Sequence, residues 1–299
     1  MIKRVVECST AGTFLSVHLG QLLVRQDGQV KGRIPCEDIG VLLIDNPAVT
    51  YTHSVLTVLL EQGAAVVVCN GRHLPAGLLL PLESNAVQAE RFRDQIAAGE
   101  SLKKRLWKQI VQAKIAHQAH LVRSDQQTYR VLMALRRRVR SGDPENVEAQ
   151  ASARFWPAFL QDPSFRRHRE GPPPNHLLNY GYIVLRSAVA RALCSAGLLP
   201  TLGIHHRNRY NAFALADDLI EPFRGFVEEK VRDMYTRCGP SDGQLTKETK
   251  AALLEVLYRS VTVGGFKGPL MVALHRTAAS LVRCFAGEQK YLDLPQLCM

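Results

Sequence analysis

The residue types most able to do chemistry lie together in GIHHRNRYNAFALADDLIEPFR, from Gly203 to Arg224. His205 and His206 are adjacent, and Asp217, Asp218 and Glu221 follow on what reads as the start of a helix. Imidazole and carboxylate close together are the donors a hard or borderline divalent cation takes. Arg207, Arg209 and Arg224 flank the acids, so an anionic substrate could be held beside the metal. One carboxylate from elsewhere would complete the site, and the best candidate is Glu148 in SGDPENVEAQASARFW, Ser141 to Trp156. There Asp143 at the N-cap and Pro144 at the first helical position predict a helix start. Glu145 would sit in the first turn, where the helix dipole is a sufficient reason for an acid. Glu148 would lie deeper, beside the small residues Ala149, Ala151, Ser152 and Ala153 that admit a second helix.

Charge points to the substrate. The chain has 299 residues, 38 Lys/Arg and 27 Asp/Glu, a net charge of +11. Residues 1–90 carry a net −2, whereas residues 91–142 alone carry +10. A near-neutral first part joined to a strongly basic second part suggests a polyanion held by the second. Arg136, Arg137, Arg138 and Arg140 end one expected helix; the dipole favours cations there, but four exceed what it requires, and phosphate contact is the better reason. Arg166 and Arg167 add a basic loop before Gly171-Pro172-Pro173-Pro174, which reads as a spacer or mobile loop.

The elements that must position these residues change character near Pro81. Short strands are expected at Lys3–Cys8, Thr13–Leu19, Gln21–Arg25, Gln29–Ile34, Val41–Ile44, Ala64–Cys69 and Leu78–Leu80, with Asp27-Gly28 as a hairpin turn and one helix at Thr52–Gln62. His18, His53 and His73 are isolated and read as surface or core residues. Helices are expected at Ser101–Val122, Thr128–Arg140, Asn175–Ala196 (with Asn175 as its cap), Ala216–Thr236, Lys247–Arg259 and Leu270–Ala286, with a loop at Gly239–Gly243 and a tail at the end. Lys103, Lys104, Arg105, Lys108 and Lys114 fall largely off the apolar face of the first, and Pro222 is tolerated near the first turn of the fourth. Tyr180 and Tyr182 read as core. No apolar run reaches the length of a membrane span, MIKRVVE has no signal-peptide character, and a cytosolic location is expected. Seven scattered cysteines without a CxxC pair argue against a zinc ribbon or disulfide framework, leaving reduced, mostly buried thiols.

Three segments together carry a resemblance. SGDPENVEAQASARFW, NHLLNYGYIVLRSAVARAL and GLLPTLGIHHRNRYNAFALADDLIEPFR resemble the CRISPR-associated adaptation integrase/endonuclease in its type II form, in order and spacing, over essentially the whole chain. LWKQIVQAKIAHQA fits as well, with His117 where the family pattern has asparagine. The resemblance implies an α+β protein: a small β-rich, sandwich-like domain at residues 1–83 for dimerisation and partner contact, then a larger all-helical catalytic and DNA-binding domain at 84–299. It implies Mg²⁺ or Mn²⁺ held by Glu148, His206 and Glu221, the histidine being chosen because the family's ligand stands fifteen residues before the final acid. His205 would shape the pocket and Asp218 support it. Arg154, Arg207, Arg209 and Arg224 would contact phosphate near the metal, and Arg136–Arg140 duplex further out.

The implied reaction joins the 3′-hydroxyl ends of a captured DNA fragment to the CRISPR repeat by transesterification, or hydrolyses DNA with water as nucleophile. Implied partners are double-stranded DNA, a second copy of the chain, and a small adaptation subunit that completes an integration complex. The type II effector nuclease and an accessory DNA-end-binding ring are further family expectations. Two other classes stay open on the residues alone: a branched-DNA repair nuclease, and a non-catalytic DNA-binding scaffold in which Glu148 and His206 merely pair within the fold.

Overall fold

In the computed structural model, which describes residues 3–71, 75–83, 85–238 and 245–296, Asp27 and Gly28 have φ of 50° and 75°. That left-handed pair closes the hairpin of β3 (Gln21–Gln26) and β4 (Gln29–Pro35). With β2 (Phe14–His18) and β6 (Thr50–Tyr51) they make one sheet, in the order β4-β3-β2-β6. The second sheet has the order β1-β5-β7-β8, from β1 (Arg4–Cys8), β5 (Ile39–Ile44), β7 (Ala65–Cys69) and β8 (Pro75–Leu79); the first three are parallel. Helix α1 (His53–Glu61) crosses between β6 and β7.

The uninterrupted apolar run of β5 has a direct cause: it serves two cores. Ile39, Leu42 and Ile44 face Leu15, Leu22, Val55 and Leu59 inside the strand-rich part, while Val41 and Leu43 join the core of the helices. Strand alternation thereby welds the two parts together. The weld includes a buried ion pair, Lys250–Asp45, and Arg191 Nε donating 2.7 Å to the Gly63 carbonyl.

The helical part comprises α2 (Gln88–Ala97), α3 (Glu100–Leu121), α4 (Gln126–Arg138), α5 (Val147–Leu160), α6 (Asn175–Ser195), α7 (Ala214–Ile220), α8 (Arg224–Cys238), α9 (Lys247–Leu254) and α10 (Leu270–Phe285). Helix α3 packs on α4, α5 and α8, and α6 on α7, α8 and α10. This part is not all-helical: β9 (Ser260–Val263), β10 (Phe266–Pro269) and β11 (Pro295–Gln296) form a small antiparallel sheet, so the expected tail is partly a strand. Asp125, whose side chain accepts from the amides of Gln127 and Thr128, starts α4 earlier than expected.

Four further boundaries differ from expectation for local reasons. Asp143 does cap α5, but from outside it: φ is 48° there, and its carboxylate accepts from the amides of Val147 (2.9 Å) and Glu148 (3.0 Å), so the helix starts at Val147 and Glu145 is not in it. Asn175 is not a cap; its buried amide accepts from Arg167 and from the amide of His168 and donates to the Pro172 carbonyl, tying down the proline loop. Pro222 lacks the amide that would continue a helix, and Glu221–Phe223 is a 3-10 turn that separates α7 from α8. Helix α9 stops at Leu254 and continues as a 3-10 turn to Tyr258. His73 and the loop at Gly239–Gly243 lie outside the described residues. Among the described residues no helix is long and apolar enough to cross a membrane, and Cys8, Cys36, Cys69, Cys194 and Cys284 are free thiols.

Candidate metal centre and nucleic-acid interface

The loop that carries the two histidines is wrapped around one carboxylate. Asp218, fully buried on α7, accepts from the backbone amides of Ile204 (2.6 Å), His205 (2.9 Å) and His206 (3.2 Å). Gly203 makes that wrap possible: a Cβ there would lie 2.4 Å from the His206 carbonyl oxygen and 2.9 Å from Asp218 Oδ2. Asp218 also takes His206 Nδ1 at 2.6 Å. An ionised carboxylate can only accept, so Nδ1 donates, and in the neutral ring the lone pair is left on Nε2. This carboxylate–imidazole pairing orients and strengthens a metal ligand. The Asp218 hydrogen bond raises the His206 pKa above its ordinary value against the opposing effect of burial.

His205 is occupied differently. Its ring lies flat on the buried Trp107 of α3, with centroids 4.2 Å apart and planes 1° from parallel, and burial lowers its pKa. Adjacent in sequence, the two histidines therefore have separate tasks: His205 packs the loop onto α3, and His206 presents a nitrogen.

Glu148 and Glu221 come from α5 and the 3-10 turn and meet on either side of Lys114, a residue expected largely off the apolar face of its helix. Lys114 of α3 is buried, pairs with Glu148, and places Nζ 2.6 Å from Glu221 Oε2. Arg224 Nη2 lies 2.9 Å from Glu221 Oε1. Burial pushes the Glu221 pKa up, but Arg224 and Lys114 outweigh it and the net direction is down. Burial likewise pushes the Lys114 pKa down, and Glu221 and Glu148 reverse it to a net rise. Both ends of the cluster are thus held ionised. A signal for Lys114 did exist: it continues the i, i+4 row of Leu106 and Ile110, whose members are buried. Beside the cluster Tyr182 donates 2.7 Å to Glu228 Oε1, and burial raises the Glu228 pKa. Tyr182 is buried as expected, yet its ring lies under Arg224 and Arg167, 4.7 and 5.4 Å from their guanidinium carbons.

Two carboxylates and an imidazole form a donor set suited to a hard divalent cation. Glu221 Oε2 is buried without a directional hydrogen bond, its contact with Lys114 being one of charge alone, so its lone pairs would serve a metal once the ammonium has moved. Among the described residues no three His, Cys, Asp or Glu side chains converge tightly enough to hold an ion as they stand. The position between Glu148 and Glu221 belongs to the Lys114 ammonium. Asp217 takes no part, since it pairs with Arg186 at 2.8 Å and with Asn211 on the loop.

The ten arginines expected at DNA divide by what already holds them. Arg138 and Arg140 pair with Glu145 at 3.0 and 2.6 Å, and Arg207 pairs with Glu100. Arg167 donates to Asn175 (2.8 Å) and Asn179 (2.7 Å), and Arg166 to the carbonyls of Pro163 and Phe165. Arg136 is partly buried with an unpartnered Nε. Arg137, Arg154 and Arg209 are exposed, the last stacked on the exposed Tyr210. Arg166, Arg167 and Arg224 line a cavity of about 350 Å³ with Lys114 and Glu148, while His206, Arg207 and Arg209 line another of about 500 Å³. His117 is buried against Phe226 and fits because residue 225 is glycine, whose Cβ would lie 2.5 Å from the imidazole; burial lowers its pKa to about 4.

With this geometry in place, comparison with known proteins is direct. The family model described as CRISPR associated protein Cas1 matches residues 7–263. The CRISPR-associated endonuclease Cas1 of Neisseria meningitidis serogroup C (strain 8013) is 35% identical over 289 residues, 96% of this chain and 94% of that protein. Among solved structures, a casposase bound to integration product matches with a TM-score of 0.78 at 17% identity, covering 97% of this chain and 92% of that one. A Cas6-RT-Cas1–Cas2 complex matches with a TM-score of 0.79 at 18% identity, covering 99% of this chain and 36% of the longer one.

Proposed function

The chain belongs to the CRISPR-associated Cas1 family, and from that premise we propose that it is a metal-dependent DNA integrase/endonuclease of CRISPR adaptation. Its reaction joins the 3′-hydroxyl ends of a captured foreign fragment to the CRISPR repeat. The observation that carries this reading is the meeting of Glu148 and Glu221 around one positive charge, with His206, oriented by Asp218, close enough to Glu221 for their charges to interact. Glu148, His206 and Glu221 would hold Mg²⁺ or Mn²⁺, which when bound supplies Lewis-acid polarisation of a phosphodiester and offsets the charge developing on it.

The chain's own residues do the rest. Asp218 engages Nδ1 of His206, so that Nε2, not Nδ1, keeps the lone pair a metal would take. Arg224, anchored on Glu221 and the Tyr182 ring, offers a fixed positive charge to phosphate oxygens. Arg137, Arg154 and Arg209, the last resting on Tyr210, are exposed to phosphates along the duplex and contribute affinity without reading bases. In the joining step the hydroxyl oxygen bonds to phosphorus as the target strand's 3′-oxygen leaves. One phosphodiester forms and one breaks, so no energy carrier is needed. With water as nucleophile the same step is hydrolysis.

The fold is shared with a casposase bound to integration product and with a Cas1 in complex with Cas2, which supports DNA and a small adaptation subunit as partners. A homodimer in that complex is part of the same proposal. The test is strand transfer of a short duplex with free 3′-hydroxyl ends into supercoiled repeat-containing plasmid, with Mg²⁺, Mn²⁺ or EDTA. Metal-dependent joining that needs the 3′-hydroxyl, Glu148 and His206 is expected. Nicking indifferent to the 3′-hydroxyl would favour the repair-nuclease class, and inactivity with every metal and with the partner subunit present would favour the scaffold.

A further inference from the structure

The two candidate carboxylate ligands are already matched by two cations without a metal. Glu148 and Glu221 face Lys114 and Arg224, while Glu228 is hydrogen-bonded to Tyr182 and has its pKa raised by burial. Adding a divalent cation to the same set would leave two uncompensated positive charges out of water, a costly state. One resident cation must therefore move. Arg224 is the poorer candidate, held by Glu221 at 2.9 Å and lying 4.7 Å over the Tyr182 ring. Lys114 has a flexible four-carbon stem, stands between the two candidate ligands, and lines the 350 Å³ cavity into which it can turn.

We propose that Lys114 is the resident counter-ion of the metal site: its ammonium holds Glu148 and Glu221 together while no metal is bound, and is displaced toward the cavity when a divalent cation enters. This rests on the reading above that Glu148 and Glu221 are metal ligands. It assigns Lys114 as a positioning residue whose charge sets how tightly metal binds. The two roles have opposite signs. Removing the ammonium leaves Glu148 without its partner and the buried Glu221 with Arg224 alone, which destabilises the metal-free chain, and removes the competitor for the site, which tightens metal binding. A lysine that merely braced the fold would show only the first.

The test titrates the full chain with Mn²⁺, counting free Mn²⁺ by its electron paramagnetic resonance signal, and records thermal unfolding in EDTA and in saturating Mn²⁺. Wild type, Lys114→Met, Lys114→Gln and Glu148→Gln are compared. The expected result is that Lys114→Met unfolds at lower temperature in EDTA, binds Mn²⁺ on the order of tenfold more tightly than wild type, and recovers most of the lost unfolding temperature in Mn²⁺. Lys114→Gln, which keeps a hydrogen-bond donor but no charge, should show the same directions with a smaller loss in EDTA. A variant too unstable to fold in EDTA but folded in Mn²⁺ would also support the inference. Mn²⁺ affinity unchanged or weakened in both Lys114 variants would overturn it, as would failure of Mn²⁺ to rescue either fold. If wild type itself binds no Mn²⁺, or Glu148→Gln binds it equally well, the metal-site reading fails instead.

Discussion

Two lysines are buried among carboxylates in this molecule, and they serve different ends. Lys250 on α9 pairs with Asp45 at the end of β5, and both side chains are almost wholly removed from solvent. The pair lies where the strand-rich part meets the helices, closed in by protein. Lys114 pairs with Glu148 and Glu221 beside a cavity, the Glu148 side chain keeps 28% exposure, and Glu221 Oε2, Arg224 Nε and Glu228 Oε2 are buried without directional partners. A sealed pair fixes how two parts of a fold dock, even with Glu7 beside it as a second carboxylate. A cluster with spare donors, spare acceptors and an open wall is held ready for something else, which is why the second and not the first is the candidate site.

The strongest way to break this contrast is to remove the sealed lysine. Lys250→Met should cost about 3–5 kcal/mol in urea unfolding, because the buried Asp45 carboxylate loses its ammonium, with strand joining per folded molecule unchanged. Adding Asp45→Leu should restore much of that loss; a large effect on joining would mean that the junction communicates with the site. Glu148→Gln should do the reverse, lowering strand joining on the order of 10²–10³-fold while the circular dichroism spectrum is retained. Joining that survives this change would remove Glu148 from the chemistry.

The histidine pair gives a finer test. Asp218→Asn should weaken Mn²⁺ binding roughly 10–100-fold by releasing the orientation of His206, and His206→Ala should abolish joining, while His205→Ala should lose packing on Trp107 and keep most activity. The pH dependence has a definite sign. His206 has its pKa raised above 6.5 by Asp218, so in the metal-free chain this pair adds stability that is full below 6.5 and lost as pH rises through the higher folded value. Metal binding needs the neutral ring and must rise across that same window. In Asp218→Asn the midpoint of metal binding should move to lower pH, read from Mn²⁺ titrations at stepped pH.

The smallest effect concerns arginines. Arg137→Ala should reduce the slope of log DNA affinity against log salt by about 1, and Arg138→Ala by less, because Glu145 already neutralises part of the charge at Arg138. Equal slopes would mean that Glu145 releases Arg138 on binding DNA.

Much of this was legible beforehand. The hairpin at Asp27-Gly28, the doubly buried runs of β5 and β7, α1 with Gly63 after it, and α10 all follow from period and turn chemistry, which are local. The boundaries at Asp143, Asn175 and Pro222 differ from expectation because each residue's side chain or ring acts on neighbours that local rules do not see: an amide four residues on, an arginine eight residues back, a helix that must break. The pairing of β11 with β9 was invisible for the same reason, since two residues carry no period.

The site divides along the same line. Residue types and order were enough to gather Glu148, His205, His206, Asp217, Asp218 and Glu221 as candidates, because the donors a divalent cation accepts are few, and the choice of Glu148, His206 and Glu221 among them came from the family resemblance. Sequence could not say that Asp218 binds the His206 loop, that His205 is spent on Trp107, or that Lys114 stands between the two glutamates. Those depend on α3, α5 and the turn before α8 meeting at one point, and the partners of a buried charge are decided by which elements pack, not by which residues are near in the chain.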